Sequence, residues 1–156
     1  MLQMYNKLLE LPLFIGISNA ELADIVGNTK FGFHKLSEGK ILVKEDEKCE
    51  QLYFLVSGSL RVLSRADNHR YSIEEQLKAP AVIQPEHFFG LIQHHTKTFS
   101  AATACSLLSL DKTEVLRLMD ESCIFRLNFL NTVSMQAQKG SHYPWRQQPT
   151  DIRDQF

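Results

Sequence analysis

Cysteines that could form disulfides are scarce in this sequence of 156 residues. Cys49, Cys105 and Cys123 are an odd number of thiols, and no two of them lie close together in the sequence. This spacing argues against a disulfide framework and against a metal site built from cysteines alone. We expect the three thiols to be reduced and to have a structural role.

A surplus of basic residues is missing as well. The 17 lysines and arginines are balanced by 18 aspartates and glutamates, so the formal net charge is −1. Proteins that hold nucleic acid by themselves usually carry a positive surplus, because contacts with phosphates dominate their affinity. We therefore do not expect this chain to bind DNA strongly on its own.

Long apolar runs are absent too. No stretch approaches the roughly 20 apolar residues that cross a bilayer, and residues 1–14 lack the order of a secretory signal. These absences predict a cytoplasmic protein without a membrane partner. The length and the apolar content of 44% are typical of one soluble domain with a real core.

Motifs that would indicate catalysis are also missing. The stretch SGS at 57–59 is not the Gly-x-Ser-x-Gly of a nucleophile elbow. Gly32 and Gly39 do not form a phosphate-binding loop, and the paired acids at 74–75 fit a solvated edge. We therefore predict that the chain is not an enzyme.

Three histidines, His87, His94 and His95, lie near one another in the sequence, with Glu86 beside them. A β-roll also frames the cupins, which bind a metal through a His-x-His, a later glutamate and a distant histidine. This chain has no His-x-His, and consecutive histidines on a strand would face opposite sides of the sheet. We predict no metal and no cofactor, and a cupin-like metal-dependent enzyme remains an alternative.

The residues that are present change their pattern along the chain. Residues 2–13 have leucines at helical spacing and meet a helix breaker at Pro12. Ser18 and Glu21 can then form a capping box that starts a second short helix, with Gly27 as its expected end. We expect both helices to cover one end of a core.

Residues 31–110 lose the helical spacing. Short β-rich runs alternate with turn residues at intervals of about ten, which is typical of an all-β sandwich or barrel. The clearest predicted hairpin turns at Gly58, which is free to take a positive φ. A second turn is expected at 66–69.

The helical spacing returns at Asp111, where Asp111 and Glu114 repeat the capping pattern. From Cys123 to about Lys139 the chain is predicted to form one helix of some four turns, ended by Gly140. Apolar and small residues recur along it at alternating spacings of four and three, close to those of a coiled-coil seam.

The order of these segments and three stretches resemble the sensor half of the CRP/FNR superfamily of transcription regulators. The stretches are LPLFIGISNAELADIV, GKILVKEDEKCEQLYFLVSGSLRVL, and FFGL followed by FSAATACSLLSLDKTEVLRLM. The match covers roughly residues 8–138. It implies a mainly β fold, a double-stranded β-helix or jelly roll of the cyclic nucleotide-binding type, with short N-terminal helices and a long C-terminal dimerisation helix.

The resemblance also implies an organisation into domains. Residues 1–139 would form the sensor domain, including the dimer helix at about 111–139. Residues 140–156 would be a linker toward a winged helix-turn-helix domain that this chain lacks, and DNA would be bound only through that domain.

A homodimer follows from the same resemblance. The long helix would pair in parallel with its two-fold mate, and polar residues within the seam could set the register at some loss of stability. The expected interface residues are Ile124, Leu127, Leu130, Asn131, Ser134 and Ala137.

The stretch QPEHFFGLIQHHTKTFSAATAC is similar to the phosphate-binding cassette of that family. In nucleotide-binding members a glutamate after the cassette glycine holds the ribose, and an arginine before a Ser/Thr-Ala pair neutralises the cyclic phosphate. Here Leu91 stands at the glutamate position and Phe99 at the arginine position. A buried anion without that arginine would lack a charge-assisted partner, which costs several kcal/mol.

We therefore expect that cyclic AMP is not bound and that the cassette has become apolar. Its side chains would either fill the pocket or line it for an unknown small-molecule effector that is apolar or amphipathic. A cyclic nucleotide-binding regulatory module of another protein is a further alternative. The expected ligand-binding residues are Phe89, Gly90, Leu91, Phe99, Ser100 and Ala101.

Overall fold

Two four-stranded sheets and four α-helices make up the structure, a computed structural model that describes residues 2–65 and 72–147. Two helices precede the strands and two follow them. The helices are α1 (Leu2–Glu10), α2 (Asn19–Asn28), α3 (Lys112–Glu121) and α4 (Cys123–Gln147).

The eight strands in the described part of the chain pair only with antiparallel neighbours. One sheet has the order β1-β8-β3-β6 and the other the order β2-β7-β4-β5, so the chain passes repeatedly between the two sheets. This architecture confirms the predicted jelly roll with flanking helices. The strands are β1 (Gly32–Leu36), β2 (Ile41–Val43), β3 (Gln51–Ser57), β4 (Ser59–Arg65), β5 (Ser72–Lys78), β6 (Ala81–Val82), β7 (Thr98–Ala101) and β8 (Cys105–Asp111).

The tight turn at Gly58 lies where it was predicted, but it does not close a hairpin. Gly58 has a φ of +91°, and a Cβ there would lie 2.3 Å from the carbonyl oxygen of Ala104, so glycine is required. The strands on either side of it belong to different sheets. The prediction of a β3–β4 hairpin is therefore wrong, because a turn signal does not reveal which strands pair beyond it.

Strand β4 pairs instead with β7 on one edge and with β5 on the other, the latter in a register from Ser59 opposite Lys78 to Arg65 opposite Ser72. The turn predicted at 66–69 falls between β4 and β5 and lies outside the described residues.

Both predicted helix caps are present. The Ser18 hydroxyl accepts a hydrogen bond from the Glu21 amide at 3.2 Å, and the Asp111 carboxylate accepts one from the Glu114 amide at 2.9 Å. Each side chain pairs an amide that the first helical turn leaves without a backbone partner. The local sequence thus determined where α2 and α3 begin.

The predicted end of α2 is confirmed to within one residue, whereas that of α4 is wrong. Helix α2 ends at Asn28, just after Gly27, and α4 continues through Gly140 to Gln147. Glycine in a helix interior costs about 1 kcal/mol relative to alanine, which neighbouring turns can offset. It ends a helix where the backbone turns to positive φ, and Gly27 keeps a negative one.

The core has two parts, one on each face of the β1-β8-β3-β6 sheet. The first, which we call the helix-side cluster, packs Phe14 against Phe54 and Phe125, with ring centroids 5.7 and 5.4 Å apart. The second, the inter-sheet cluster, includes Phe99 and Leu107. Strand β8 is buried on both faces for this reason, and its sequence CSLLSL lacks a clean alternation.

Candidate functional site

A cavity of about 170 Å³ lies where the two sheets meet α4. Val62, Phe99 and Glu75 share one face of the β2-β7-β4-β5 sheet at this cavity, because Val62 pairs with Phe99 on one side and with Glu75 on the other. The apolar lining residues are Val62, Leu77, Val82 and Phe99, and the polar ones are Glu75, Gln76, Gln84, Glu86, Lys97 and Gln136.

Gln84 shapes one wall of this cavity. It follows β6 in a left-handed backbone conformation, with φ of 42° and ψ of 55°, and Pro85 then starts a short 3₁₀ turn. The buried Gln84 side chain ties the two ends of the β6–β7 segment together. Its Oε1 accepts from the His95 ring at 3.0 Å and from the Thr96 amide at 3.2 Å, and its Nε2 donates to the Thr96 hydroxyl at 2.7 Å.

His95 is a neutral polar group in this wall. It is only 2% exposed. Because Gln84 Oε1 can only accept, the His95 Nδ1 carries the proton. Burial lowers the pKa of His95, against an opposing effect of the Glu47 carboxylate. At neutral pH the side chain therefore supplies hydrogen bonding without a positive charge.

The charged residues around the cavity are mainly acidic. The Lys97 ammonium lies 3.9 Å from a Glu75 carboxylate oxygen. One Glu86 oxygen, Oε2, is 3.9 Å from the His87 ring, whereas Oε1 is buried without a hydrogen-bond partner among the described residues. Arginine is absent from the lining residues that the structure describes.

The six residues predicted to bind ligand are not brought together. Phe99 lines the cavity, and Ala101 is buried further along β7 in the inter-sheet cluster. Ser100 lies between them and therefore on the opposite face of that strand. Phe89 packs against Phe129 of α4, with ring centroids 5.8 Å apart.

Leu91 neither fills nor lines the cavity. Its side chain is 99% exposed, because Gly90 takes a φ of +94° and turns the chain into solvent. The expectation that an apolar residue after the cassette glycine would line a pocket fails on this backbone geometry.

Sequence reasoning missed Gln84 and Thr96, and it considered Glu86 and His95 only as possible metal ligands. The pair His95-Thr96 does have the order of a basic residue followed by Ser or Thr that the family resemblance implies for a phosphate contact. Lys97 follows it in place of the alanine, whereas Ser100 and Ala101 have the Ser/Thr-Ala order. The proline at 85 gives no signal for Gln84, since the residue before a proline is expected to be extended and Gln84 is left-handed.

Lys112, the first residue of α3, anchors the same segment from outside the cavity. Its ammonium donates to the carbonyl oxygen of Phe88 and, at 3.0 Å, to the side chain of Gln93. It also lies 4.3 Å from the ring centroid of Phe88 and 5.1 Å from that of Phe89. Burial lowers the pKa of Lys112.

Helix α4 presents three different surfaces. Phe125 and Phe129 are buried in the helix-side cluster, and Gln136 covers the cavity. A third surface is exposed and apolar in part, with Leu127 58% and Leu130 53% exposed. All six residues predicted for the dimer interface are exposed: Ile124, Leu127, Leu130, Asn131, Ser134 and Ala137.

Among the described residues, His, Cys, Asp and Glu side chains do not form any group of three or more that could hold a metal ion. Cys49 and Cys105 are buried and Cys123 is exposed; burial raises the pKa of Cys49 to about 11. No helix in the described part of the chain has the length and apolar content needed to cross a membrane.

Comparison with known families identifies the domain. A family model described as "Cyclic nucleotide-binding domain" matches residues 33–122, which is more than half of the chain. The chain therefore belongs to the cyclic nucleotide-binding domain family. No curated protein is significantly similar to it in sequence.

Solved structures confirm the fold. The sensor domain of the transcriptional regulator DNR from Pseudomonas aeruginosa is 16% identical, with a TM-score of 0.70 over 90% of this chain and 93% of that one. The catabolite activator protein of Thermus thermophilus is also 16% identical, with a TM-score of 0.73 over 83% of this chain and 60% of that one.

An enzyme is also among the structures that this chain resembles. A cAMP-binding acyltransferase from Mycobacterium smegmatis is 16% identical, with a TM-score of 0.58 over 74% of this chain and 35% of that one. This fold therefore occurs both in regulators and as a part of an enzyme.

Proposed function

We propose that this member of the cyclic nucleotide-binding domain family is the effector-sensing and dimerisation domain of a transcription regulator, and that its effector is not a cyclic nucleotide. The observation that carries the proposal is the cavity beside α4. It is lined by Phe99 and by the carboxylates of Glu75 and Glu86, and it is covered by the same helix that exposes an apolar stripe.

This lining does not suit a cyclic phosphate. A buried anion needs a cation or several hydrogen-bond donors, and arginine is best suited because its planar fork can bind a phosphate with two hydrogen bonds. Phe99 offers an apolar ring instead, and Lys97 already lies beside Glu75. The carboxylate of Glu86 would repel the phosphate.

Helix α4 can couple the cavity to an interface. Gln136 contacts the cavity and Phe129 contacts the cassette residue Phe89, whereas Leu127 and Leu130 of the same helix face solvent. A ligand that favours one position of α4 would therefore shift the balance between two arrangements of a dimer.

On this proposal the chain has no enzymatic role, and DNA is bound by a winged helix-turn-helix domain beyond residues 140–156. The balanced charge of the chain agrees with this division. So does the catabolite activator protein of Thermus, which extends beyond the part that this chain matches. The cupin-like alternative receives no support, because the donor side chains that it needs do not converge in the described residues.

The dimer is tested by light scattering at about 50 µM. We expect a homodimer for the unchanged chain and a monomer for Leu127→Lys/Leu130→Lys, because two lysines would place like charges within the seam. Leu116→Lys is the matched control, since Leu116 is 55% exposed on the neighbouring helix α3. A monomer for the unchanged chain would contradict the dimerisation part of the proposal.

The parallel arrangement can be tested with a thiol that the chain already carries. Cys123 is exposed at the start of the predicted seam, whereas the other two cysteines are buried. Mild oxidation should therefore link two chains through Cys123, and Cys123→Ser should prevent the link. A dimer in solution that does not cross-link would indicate an antiparallel or different interface.

The ligand part is tested by the midpoint of thermal unfolding. A ligand that binds only the folded state raises it, by an amount that follows from concentration and affinity. We expect less than about 1 °C of change with 1 mM cyclic AMP or cyclic GMP. A clear rise at 0.1 mM would overturn the proposal in favour of a cyclic nucleotide-binding regulatory module.

A further inference from the structure

We infer that a second cavity of the chain binds a small planar organic cation of the amidinium class, which donates a hydrogen bond to the Nε2 atom of His95. This cavity, which we call the loop cavity, has a volume of about 290 Å³ and lies where the 44–50 loop meets β2 and β3. The inference goes beyond the proposed function, because it concerns a different cavity. The lining residues that carry it are Val43, Glu47, Lys48, Glu50, Tyr53 and His95.

The observation that carries the inference is a buried nitrogen atom without a hydrogen-bond partner. His95 is 2% exposed, and its Nδ1 donates to Gln84 Oε1 at 3.0 Å. Burial lowers the pKa of His95, so at neutral pH Nε2 carries a lone pair and can only accept. Among the described residues, no group donates to Nε2. Buried polar groups are almost always paired, and an exception calls for a specific explanation such as a bound molecule.

This nitrogen is open to the loop cavity. Among the buried and half-buried residues that the structure describes, Glu86 Oε1 is the one side-chain oxygen or nitrogen that has neither accessible surface nor a partner. Because His95 Nε2 lacks a partner as well, it must keep some accessible surface. His95 lines the loop cavity and does not line the cavity beside α4, so a molecule in the loop cavity can reach the lone pair.

Both the main chain and the side chain of His95 are fixed. Its amide donates to the Glu47 carbonyl oxygen at 2.8 Å, and its own carbonyl accepts from the Asp46 amide at 2.7 Å. The atom that accepts from Nδ1 also accepts from the Thr96 amide, which identifies it as the oxygen of Gln84. The acceptor is therefore held in place before a ligand arrives, which lowers the cost of ordering it on binding.

The charges around the loop cavity favour a cation. Glu47 and Glu50 contribute two carboxylates against the ammonium of Lys48, and neither carboxylate forms an ion pair with a described side chain. Burial and, after it, the charges of these two carboxylates raise the pKa of Tyr53. The charge of Glu47 also acts on His95. Both polar rings of the cavity therefore lie in a negative potential, which attracts a cation and repels an anion.

The shape of the cavity favours a flat ligand. Tyr53 belongs to the β1-β8-β3-β6 sheet and Val43 to the β2-β7-β4-β5 sheet, so an aromatic and an aliphatic side chain border it from different sheets. Aromatic rings attract cations placed over their faces. The volume is about twice that of an apolar cavity of about 150 Å³ that holds benzene, which leaves room for one ring and a charged group. An amidinium supplies both the N–H donor that Nε2 requires and the positive charge.

The experiment uses three probes that share one ring and one planar group: benzamidinium, benzamide and benzoate. Their affinities are measured by isothermal titration on the unchanged chain, at neutral pH and low ionic strength. We expect benzamidinium to bind at least about tenfold more tightly than benzamide, because its donors carry a charge, and benzoate to bind most weakly. Equal affinities for benzamidinium and benzamide, or tighter binding of benzoate, would overturn the inference.

Nitrogen NMR on the chain labelled in its histidines locates the bound probe. The signals of His95 are assigned by their loss in His95→Gln. In the free chain Nε2 should resonate as an unprotonated nitrogen, and benzamidinium should shift this resonance toward that of a hydrogen-bonded one while Nδ1 keeps its proton. An Nε2 resonance that is unchanged at saturation would mean that water alone pairs this nitrogen, and would overturn the inference.

The variant Glu50→Gln tests the charge at the cavity. It keeps the size of the side chain, and the affinity for benzamidinium should fall about threefold, as expected for a partly solvated ion pair, while that for benzamide stays the same. Glu50 is preferred to Glu47, whose carboxylate accepts from the Lys44 amide and so helps to hold the loop. Glu38→Gln is the matched control, because Glu38 is an exposed glutamate outside the lining. Equal affinities of the two variants for benzamidinium would overturn the inference.

The outcomes also distinguish this inference from the proposed function. If benzamidinium does not bind and the chain is still a dimer that ignores cyclic AMP, the second site is wrong and the proposed function stands. If cyclic AMP binds in the cavity beside α4, or the chain is a monomer, the proposed function is wrong whatever the three probes show.

Discussion

The segment between β6 and β7 has an inner part and a tip, and the two differ sharply in their surroundings. In the inner part, the side chains of Gln84, Phe88 and His95 are 8%, 1% and 2% exposed. At the tip, Leu91 and Ile92 are 99% and 63% exposed. Two polar side chains are therefore buried while two aliphatic ones face solvent, so residue type alone does not predict which part of this segment points inward.

Backbone conformation and pairing account for the difference. Gln84 and Gly90 both have positive φ; Gln84 directly precedes the 3₁₀ turn Pro85–His87, and Gly90 lies three residues after it. The buried polar groups are acceptable because Gln84 and His95 are hydrogen-bonded to each other. The aliphatic tip lacks a comparable set of neighbours, since Leu91 is almost fully exposed.

Truncation of one apolar side chain in each part should give the largest contrast. Phe88→Ala should lower the free energy of unfolding by about 3–5 kcal/mol, because it removes a fully buried ring and leaves a cavity. Leu91→Ala, the matched truncation at the tip, should change it by less than about 0.5 kcal/mol. Urea unfolding measures the free energy of unfolding of both variants. A loss above about 2 kcal/mol for Leu91→Ala would contradict the predicted difference between the inner part and the tip.

A smaller effect is expected from Lys112, the first residue of α3, which contacts both the inner part and the tip of this segment. Lys112→Met keeps the apolar stem and removes the ammonium that contacts Phe88 and Gln93. The loss should be about 1.5–3 kcal/mol, the range for hydrogen bonds to charged groups. Lys35→Met on the exposed face of β1 is the control; equal losses in the two variants would mean that the anchor has no specific role.

The smallest effect concerns pH. Because the pKa of His95 is lowered in the folded chain, the unfolded chain takes up its proton first as the pH falls. Stability due to neutral His95 is therefore complete above about 6.5, the ordinary histidine value, and decreases below it until the folded-state pKa is reached. The slope for one proton cannot exceed about 1.4 kcal/mol per pH unit.

His95→Gln provides the comparison for this prediction, since a glutamine amide can still donate to Gln84 but does not titrate. The free energy of unfolding of the unchanged chain should fall more steeply between pH 7 and pH 5.5 than that of the variant. Parallel curves would show that His95 titrates alike in the folded and unfolded chains.

Much of the fold was predictable because its signals are local. The caps at Ser18 and Asp111 and the turn at Gly58 depend on residues within one turn of the chain. The end of α4 was not predictable from Gly140, because a glycine is compatible with either a helix or its end. The β3–β4 hairpin failed because pairing depends on β8, which is some fifty residues away.

The candidate site was less predictable. Phe99 lines the cavity and Leu91 does not, Gln84 was not foreseen, and Glu86 and His95 were considered only as metal ligands. The residues of this segment were matched to the family cassette by sequence pattern. A single residue with positive φ, such as Gly90, changes which of their side chains face inward. The stripe on α4 was foreseen because helical periodicity alone determines which residues share a face.

The amino-acid sequence by itself determined the order of helices and strands, the helix starts and the exposed stripe on α4, because each follows from spacing, capping or turn residues close together in the chain. Only the tertiary structure decided how the strands divide between two sheets and which side chains meet in the cavity. Val62, Gln84, Phe99 and Gln136 come from four separate elements. Whether Glu86 Oε1 has a hydrogen-bond partner likewise depends on which groups the tertiary structure places near it.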